Sequence, residues 1–314
     1  MGRFISLLKK IAARAMQLTD RRYREFYAQR MVVDPDKRTR RANKVAAALP
    51  RYAPRVVAGV GEVFSALDNI GYARTPPGFG MAQMAREIRG FFADKTCSDP
   101  YYPERGRFNP ANDVPKGVHV AFFDAELVVQ TPHIFEIVND PVVLSAVARV
   151  LGAKPTISHM VVWWSLPAGD GTAQETENFH RDVDDWCFVK YFVYLTDVDE
   201  ESGPHIFIPG SHKQNKLLPV RRYTTEEIAG AFGEGNEKLF VGPAGTSFLE
   251  NTYGFHRGLP AKSKPRLALA ATYSLRVIPY GPRAPIAVLG QNGIPGDIDP
   301  YINRIYCTPA RCGA

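Results

Sequence analysis

From Thr156 onward the chain breaks into short β-branched and aromatic segments punctuated by Gly and Pro, at 157–166, 187–196, 205–209, 238–241, 246–250 and 266–278. Most of them have no helical stretch between them. That excludes a parallel sheet built from βαβ units and predicts an antiparallel sandwich or barrel. The first half reads differently. Helical patterns cover 54–69 and 81–94, and Thr131-Pro132 and Asp140-Pro141 each place a capping residue before a proline at the start of a short helix, the second running to Gly152. Residues 97–112, rich in Pro, Gly and Tyr, read as a long loop. The fold class expected is mainly β with flanking helices.

The 314 residues would allow two domains. The charge divides them unequally. Residues 1–55 hold fifteen Lys and Arg against four acids, so the formal +7 of the whole chain leaves the remainder at −4. A basic surplus usually raises nucleic acid as a partner, but here the bulk of the protein is mildly acidic, and no nucleic-acid partner is expected. Within 3–31 the apolar residues Phe4, Leu7, Leu8, Ile11, Ala15 and Leu18 recur at helical spacing opposite a basic face. Such a helix suits packing on the domain or on a second subunit, or contact with an acidic membrane surface, with packing favoured. The expected division is a basic helical extension over 1–50 and one domain over 51–314.

Four cysteines, Cys97, Cys187, Cys307 and Cys312, are too few for a disulfide framework and lack the paired spacing of a zinc site. This favours a reducing, cytoplasmic setting. No stretch reaches the length of an apolar membrane span. The start Met1-Gly2 with Ser6 fits the short myristoylation pattern, which chance often produces.

Among seven histidines the informative one lies in His180-Arg181-Asp182. In an extended segment residues i and i+2 point the same way, so an imidazole and a carboxylate can share one metal ion. His256 follows 74 residues after Asp182, and Arg266 ten residues after that at the head of a strand. Two histidines and one carboxylate form a facial triad that leaves positions open on Fe(II). An Arg beside it suits a planar two-pronged salt bridge to a carboxylate.

The run FHRDVDDWCFVKYFVYLTDVDEESGPHIFIPGSHK and the later GFHRGLPAKSKPRLALAATYSL resemble the phytanoyl-CoA dioxygenase family of Fe(II)/2-oxoglutarate oxygenases. The likeness rests on His-x-Asp, Trp186 four residues past that Asp, Ser-Gly-Pro, Pro-Gly-Ser-His, the distal His-Arg-Gly and the Arg that follows. It covers about 55–305 and is strongest over 156–278. The resemblance implies a double-stranded β-helix, a cupin-like jelly-roll with a helical N-terminal part. By position it makes His180, Asp182 and His256 the iron ligands and Arg266 the partner of the 2-oxoglutarate C5 carboxylate. It places Lys190 and Phe192 where related enzymes contact the cosubstrate. The implied reaction uses O₂ to convert 2-oxoglutarate to succinate and CO₂ while hydroxylating an unactivated C–H bond of a small-molecule or lipid-like substrate. Halogenating relatives lack the carboxylate ligand, and here Asp182 is intact.

Other readings attach to the same residues. Trp186 is expected to form a wall of the substrate pocket rather than core. One of Trp163 and Trp164 enters the barrel, since they point to opposite faces. His212 is read as a turn residue rather than a ligand, and Asp184 shares the face of Asp182 without the tripeptide spacing. The second partner of the C5 carboxylate is unidentified, since Leu267-Ala268 follow Arg266. The 101–112 loop and the 221–237 segment are the expected specificity elements at the rim. Two rival functions stand beside the oxygenase: a cupin-type metal enzyme without 2-oxoglutarate, and a non-catalytic surface-binding protein acting through the basic helix.

Overall fold

The computed structural model describes residues 19–53, 57–76, 80–169 and 172–310. The helices are α1 (Arg21–Arg30), α2 (Pro35–Ala46), α3 (Val60–Ile70), α4 (Met81–Phe92), α5 (Ala125–Gln130), α6 (Ile134–Val138), α7 (Pro141–Leu151) and α8 (Thr225–Phe232). The strands are β1 (Tyr72–Arg74), β2 (Cys97–Ser98), β3 (Arg107–Phe108), β4 (Val120–Phe122), β5 (Thr156–Ser165), β6 (Phe188–Tyr194), β7 (His205–Phe207), β8 (Lys238–Phe240), β9 (Ser247–Glu250), β10 (His256–Gly258), β11 (Arg266–Ser274), β12 (Ala287–Val288) and β13 (Cys307–Thr308). A large antiparallel sheet runs β1-β9-β6-β11-β5-β4-β2-β3, and a small one runs β10-β7-β8. Together they form the expected jelly-roll.

Alternation along the central strands decides what faces the site. On β6, Val189, Tyr191 and Val193 join the large core under the helices, as do Leu267, Leu269 and Ala271 of β11. Phe192 and Tyr194, with Ala268 and Ala270, turn the other way into a second cluster with Phe207, Phe240 and Phe248. Both faces are therefore buried, which is why these strands read as nearly unbroken apolar runs. Trp163 packs into this inner cluster and Trp164 against the helix-covered one, which decides between the two tryptophans.

The helical half follows its caps. The Asp140 carboxylate accepts from the amides of Val142 and Val143 to start α7, and Gly152 ends it in the left-handed region. Before α6, however, the capping position belongs to His133, held at φ 60°, and not to Thr131. The 97–112 loop contains the short pair β2–β3, and the 221–237 segment contains α8 with a Thr224–Glu227 capping box.

Residues 19–50 pack on the rest of the described chain. Asp20 caps α1, and Asp34 precedes Pro35 at the start of α2, the same signature that begins α7. Phe26 meets Tyr280 edge to face, and the Lys154 amide donates to Pro50 O. The apolar residues Phe4 to Leu18, Met1-Gly2 with Ser6, and Cys312 lie outside the described residues. Cys97, Cys187 and Cys307 are free thiols. Among the described residues no helix is long and apolar enough to cross a membrane.

Candidate metal centre

His180 and His256 face each other where two chain segments pair, each donating its amide to the other's carbonyl at 3.0 and 3.1 Å. The Asp182 amide donates to Thr252 O at 2.9 Å, continuing the pairing. This brings the three side chains to one point. One ligand atom from each lies within 4.8 Å of the others, with His256 Nε2 3.3 Å and His180 Nε2 3.6 Å from the Asp182 oxygens. The Nδ1 atoms lie 2.9 Å from Asn178 O and 3.0 Å from Gly254 O. A carbonyl only accepts, so each Nδ1 carries a proton and Nε2 is the nitrogen left beside Asp182 to ligate a metal. Nitrogen, nitrogen and carboxylate oxygen in this arrangement fit a divalent iron.

Charge is tightly balanced here. Lys190 Nζ lies 2.7 Å from Asp182 and 3.1 Å from Asp184. Burial pushes the Asp182 carboxyl up, but the charges of Lys190 and His256 outweigh it and hold the carboxyl well below the ordinary range. Burial holds His180 down to about 4, with the neighbouring His256 adding to the effect. Asp184 is raised by burial despite Lys190.

Arg266 sits at the head of β11, 4% exposed, directly opposite Ser165 of β5 in the sheet register. It donates to Ser165 Oγ at 2.9 Å and to the carbonyl of Gly203. Gly203, in the Ser-Gly-Pro turn, has φ +67°, and a Cβ there would lie 2.4 Å from Leu259 O, so only glycine lets the turn come this close. Arg266 Nε is buried without a partner, and among the described residues no carboxylate pairs with the guanidinium. The carboxylate of Glu177 acts on the guanidinium by charge but is itself hydrogen-bonded to His119 at 2.8 Å, and a buried cation with no direct ion pair among the described residues fits an anionic cosubstrate.

Other predicted residues fall into two groups. Phe192 lies on the inner face, its ring 4.9 Å from His205 and 5.2 Å from Phe248. Trp186 lies elsewhere: it packs against the helix-covered core under the guanidinium groups of Arg38 and Arg41, each 5.7 Å from its ring. Residues 184–187 form a bend before β6, and Trp186 does not line the cavity at the metal cluster. His212 hydrogen-bonds Asp68 O at 3.0 Å in the Pro-Gly-Ser-His turn, whose Ser211 Oγ accepts from the Phe255 amide at 2.8 Å.

A buried pair escaped the sequence reading. His205 Nε2 lies 2.7 Å from Glu250 Oε2, and the His205 ring stacks on His256 at 5.5 Å. The one available signal was a titratable residue at one end of each buried strand, His205 on β7 and Glu250 on β9. Burial raises the Glu250 carboxyl to about 8. A carboxyl raised on folding is protonated in the fold while ionised in the unfolded chain. It adds no penalty below its ordinary value near 4.5, and the penalty grows until pH passes about 8. Glu250→Gln should therefore flatten the fall in stability of the metal-free protein between pH 5 and 8, measured by denaturant midpoints.

A cavity of about 590 Å³ opens on His180, Asp182 and Lys190, walled by Tyr101, Phe122, His159 and Tyr280 and rimmed by Arg30 and Arg222. A jelly-roll carrying a two-histidine, one-carboxylate centre is the architecture of a non-haem metal enzyme. Residues 82–266 match the phytanoyl-CoA dioxygenase (PhyH) family, and the chain belongs to it. No curated protein matches the chain. Among solved structures, apo EctD from S. alaskensis is 17% identical with a TM-score of 0.51, covering 83% of this chain and 94% of that one. HygX from Streptomyces hygroscopicus, with nickel and 2-oxoglutarate bound, is 16% identical with a TM-score of 0.48, covering 76% and 95%. SnoN, an epimerase of nogalamycin biosynthesis holding Fe3+ and α-ketoglutarate, is 19% identical with a TM-score of 0.46, covering 69% and 83%. Its membership of the phytanoyl-CoA dioxygenase family makes the chain an enzyme of that superfamily.

Proposed function

We propose that the chain is an Fe(II)- and 2-oxoglutarate-dependent dioxygenase that hydroxylates a C–H bond of a small-molecule substrate. The observation that carries this reading is a buried Arg266 that makes no direct ion pair with a carboxylate among the described residues, in the same barrel as a preformed His180–Asp182–His256 cluster. Iron with 2-oxoglutarate and O₂ supplies the oxidation, yielding succinate and CO₂ beside the hydroxylated product.

The protein's own residues do the rest. His180, Asp182 and His256 hold the metal, with both imidazoles fixed in one tautomer by backbone carbonyls. Arg266, braced by Ser165, binds the distal carboxylate of 2-oxoglutarate, and Ser165 supplies the second partner that Leu267-Ala268 could not. Lys190 balances Asp184 when Asp182 is engaged, so no buried charge is left alone. Phe192, Trp163 and Phe248 line the barrel and exclude water. The substrate occupies the cavity at Tyr101, Phe122 and Tyr280.

A cupin-type enzyme without the cosubstrate would leave the buried Arg266 with only Ser165 and the Gly203 carbonyl and no carboxylate to meet. The test is anaerobic addition of Fe(II) and 2-oxoglutarate. A weak visible charge-transfer band is expected, and its absence overturns the assignment. Succinate formation coupled to O₂ uptake then separates the oxygenase from a metal enzyme of another kind.

A further inference from the structure

The turn that follows Asp182 is held by residues that lie outside the family-matching stretch. Val183 O accepts from Gln29 Nε2 at 2.5 Å and from Arg30 Nη1 at 3.3 Å. The carbonyl of Asp185 accepts from Arg38 Nη2. Arg38, only 3% exposed, also donates to Gln29 O and Val32 O at 2.9 Å and to Gln29 Oε1 at 2.8 Å. Its guanidinium lies over the rings of Tyr253 at 4.6 Å and Trp186 at 5.7 Å. Among the described residues it has no ion-pair partner.

A guanidinium buried on carbonyls alone is costly, and its effect is to fix the backbone that supplies those carbonyls. Here that backbone is the segment between the triad acid and β6. The same N-terminal stretch also reaches the other ligand, since Tyr253, three residues before His256, donates its hydroxyl to Val33 O at 2.5 Å. Residues 29–38 thus span the two segments that carry Asp182 and His256.

We propose that Arg38, together with Gln29, is a positioning residue for the metal centre, fixing the turn Val183–Trp186 and through it the carboxylate of Asp182. This rests on reading the triad as a metal site. Arg38 itself touches no reacting atom.

The experiment titrates full-length protein with Co(II) alone, followed by its visible absorption, with no cosubstrate and no turnover. Arg38→Met is expected to weaken Co(II) binding by roughly 10-fold or more, the range typical of groups that orient ligands. Gln29→Leu should weaken it in the same direction, and Arg38→Lys should recover part of the loss. Ile88→Ala, in the core under α4, should lower thermal stability and leave Co(II) affinity unchanged. If Arg38→Met does not fold, Gln29→Leu decides. Wild-type affinity in the folded variants overturns the proposal, and so does an equal loss in Ile88→Ala. Wild-type protein that binds no Co(II) overturns the metal reading itself and this inference with it.

Discussion

Replacing Asp182 with alanine is expected to abolish the anaerobic Fe(II)–2-oxoglutarate band and to lower metal affinity by more than about a hundredfold, beyond what loss of an orienting group outside the ligand set costs. The reason is that Asp182 supplies the only oxygen of the cluster, and both imidazole Nε2 atoms are aimed at it. The metal-free fold should survive, because Lys190 keeps Asp184 at 3.1 Å when Asp182 is gone. The variant therefore separates binding from folding: loss of the band with a retained thermal transition supports the ligand role, and a retained band overturns it. His212→Ala should leave the band intact. Its imidazole is spent on Asp68 O within a turn, so it has no reach to the metal cluster.

Arg266→Met should raise the KM for 2-oxoglutarate at least roughly thirtyfold, because truncating one partner of a buried, hydrogen-bonded charge pair costs about 2–5 kcal/mol. Metal binding measured without cosubstrate should be unchanged, since the guanidinium is held by Ser165 and Gly203 and not by the triad. Arg266→Lys should recover only part of the affinity. A single ammonium cannot reach Ser165 and both oxygens of a carboxylate in the planar geometry that a guanidinium offers. An unchanged KM in Arg266→Met would remove the cosubstrate from this end of the barrel and favour a metal enzyme that does not use it.

The residues that could be read from the sequence are those whose role is local. The strands of the jelly-roll announce themselves because β5, β6 and β11 are buried on both faces, and β5 and β11 each follow a proline. His180 and Asp182 are two residues apart, so their shared side follows from backbone geometry. Ser165 was not legible, since it meets Arg266 only through strand register, 101 residues away in sequence. Glu250 and His205 meet across the two sheets for the same reason. Trp186 turns toward the helices, which its nearness in sequence to the metal ligands could not show. Arg38 carries no local sign at all: beside Arg40 and Arg41 it looks like one more member of a basic helix face, and only burial distinguishes it.

β1 gives the large sheet one of its outer boundaries. Tyr72, Ala73 and Arg74 pair with Glu250, Leu249 and Phe248, covering the backbone of β9, whose side chains are all buried. Three residues suffice to close that edge, and they lie before residue 82, where the family match begins. A fragment cut at the family boundary would expose β9 as an unpaired, apolar strand, a template for edge-to-edge aggregation between copies. The segment ahead of the family match thus shields an apolar edge that the matched residues alone leave open.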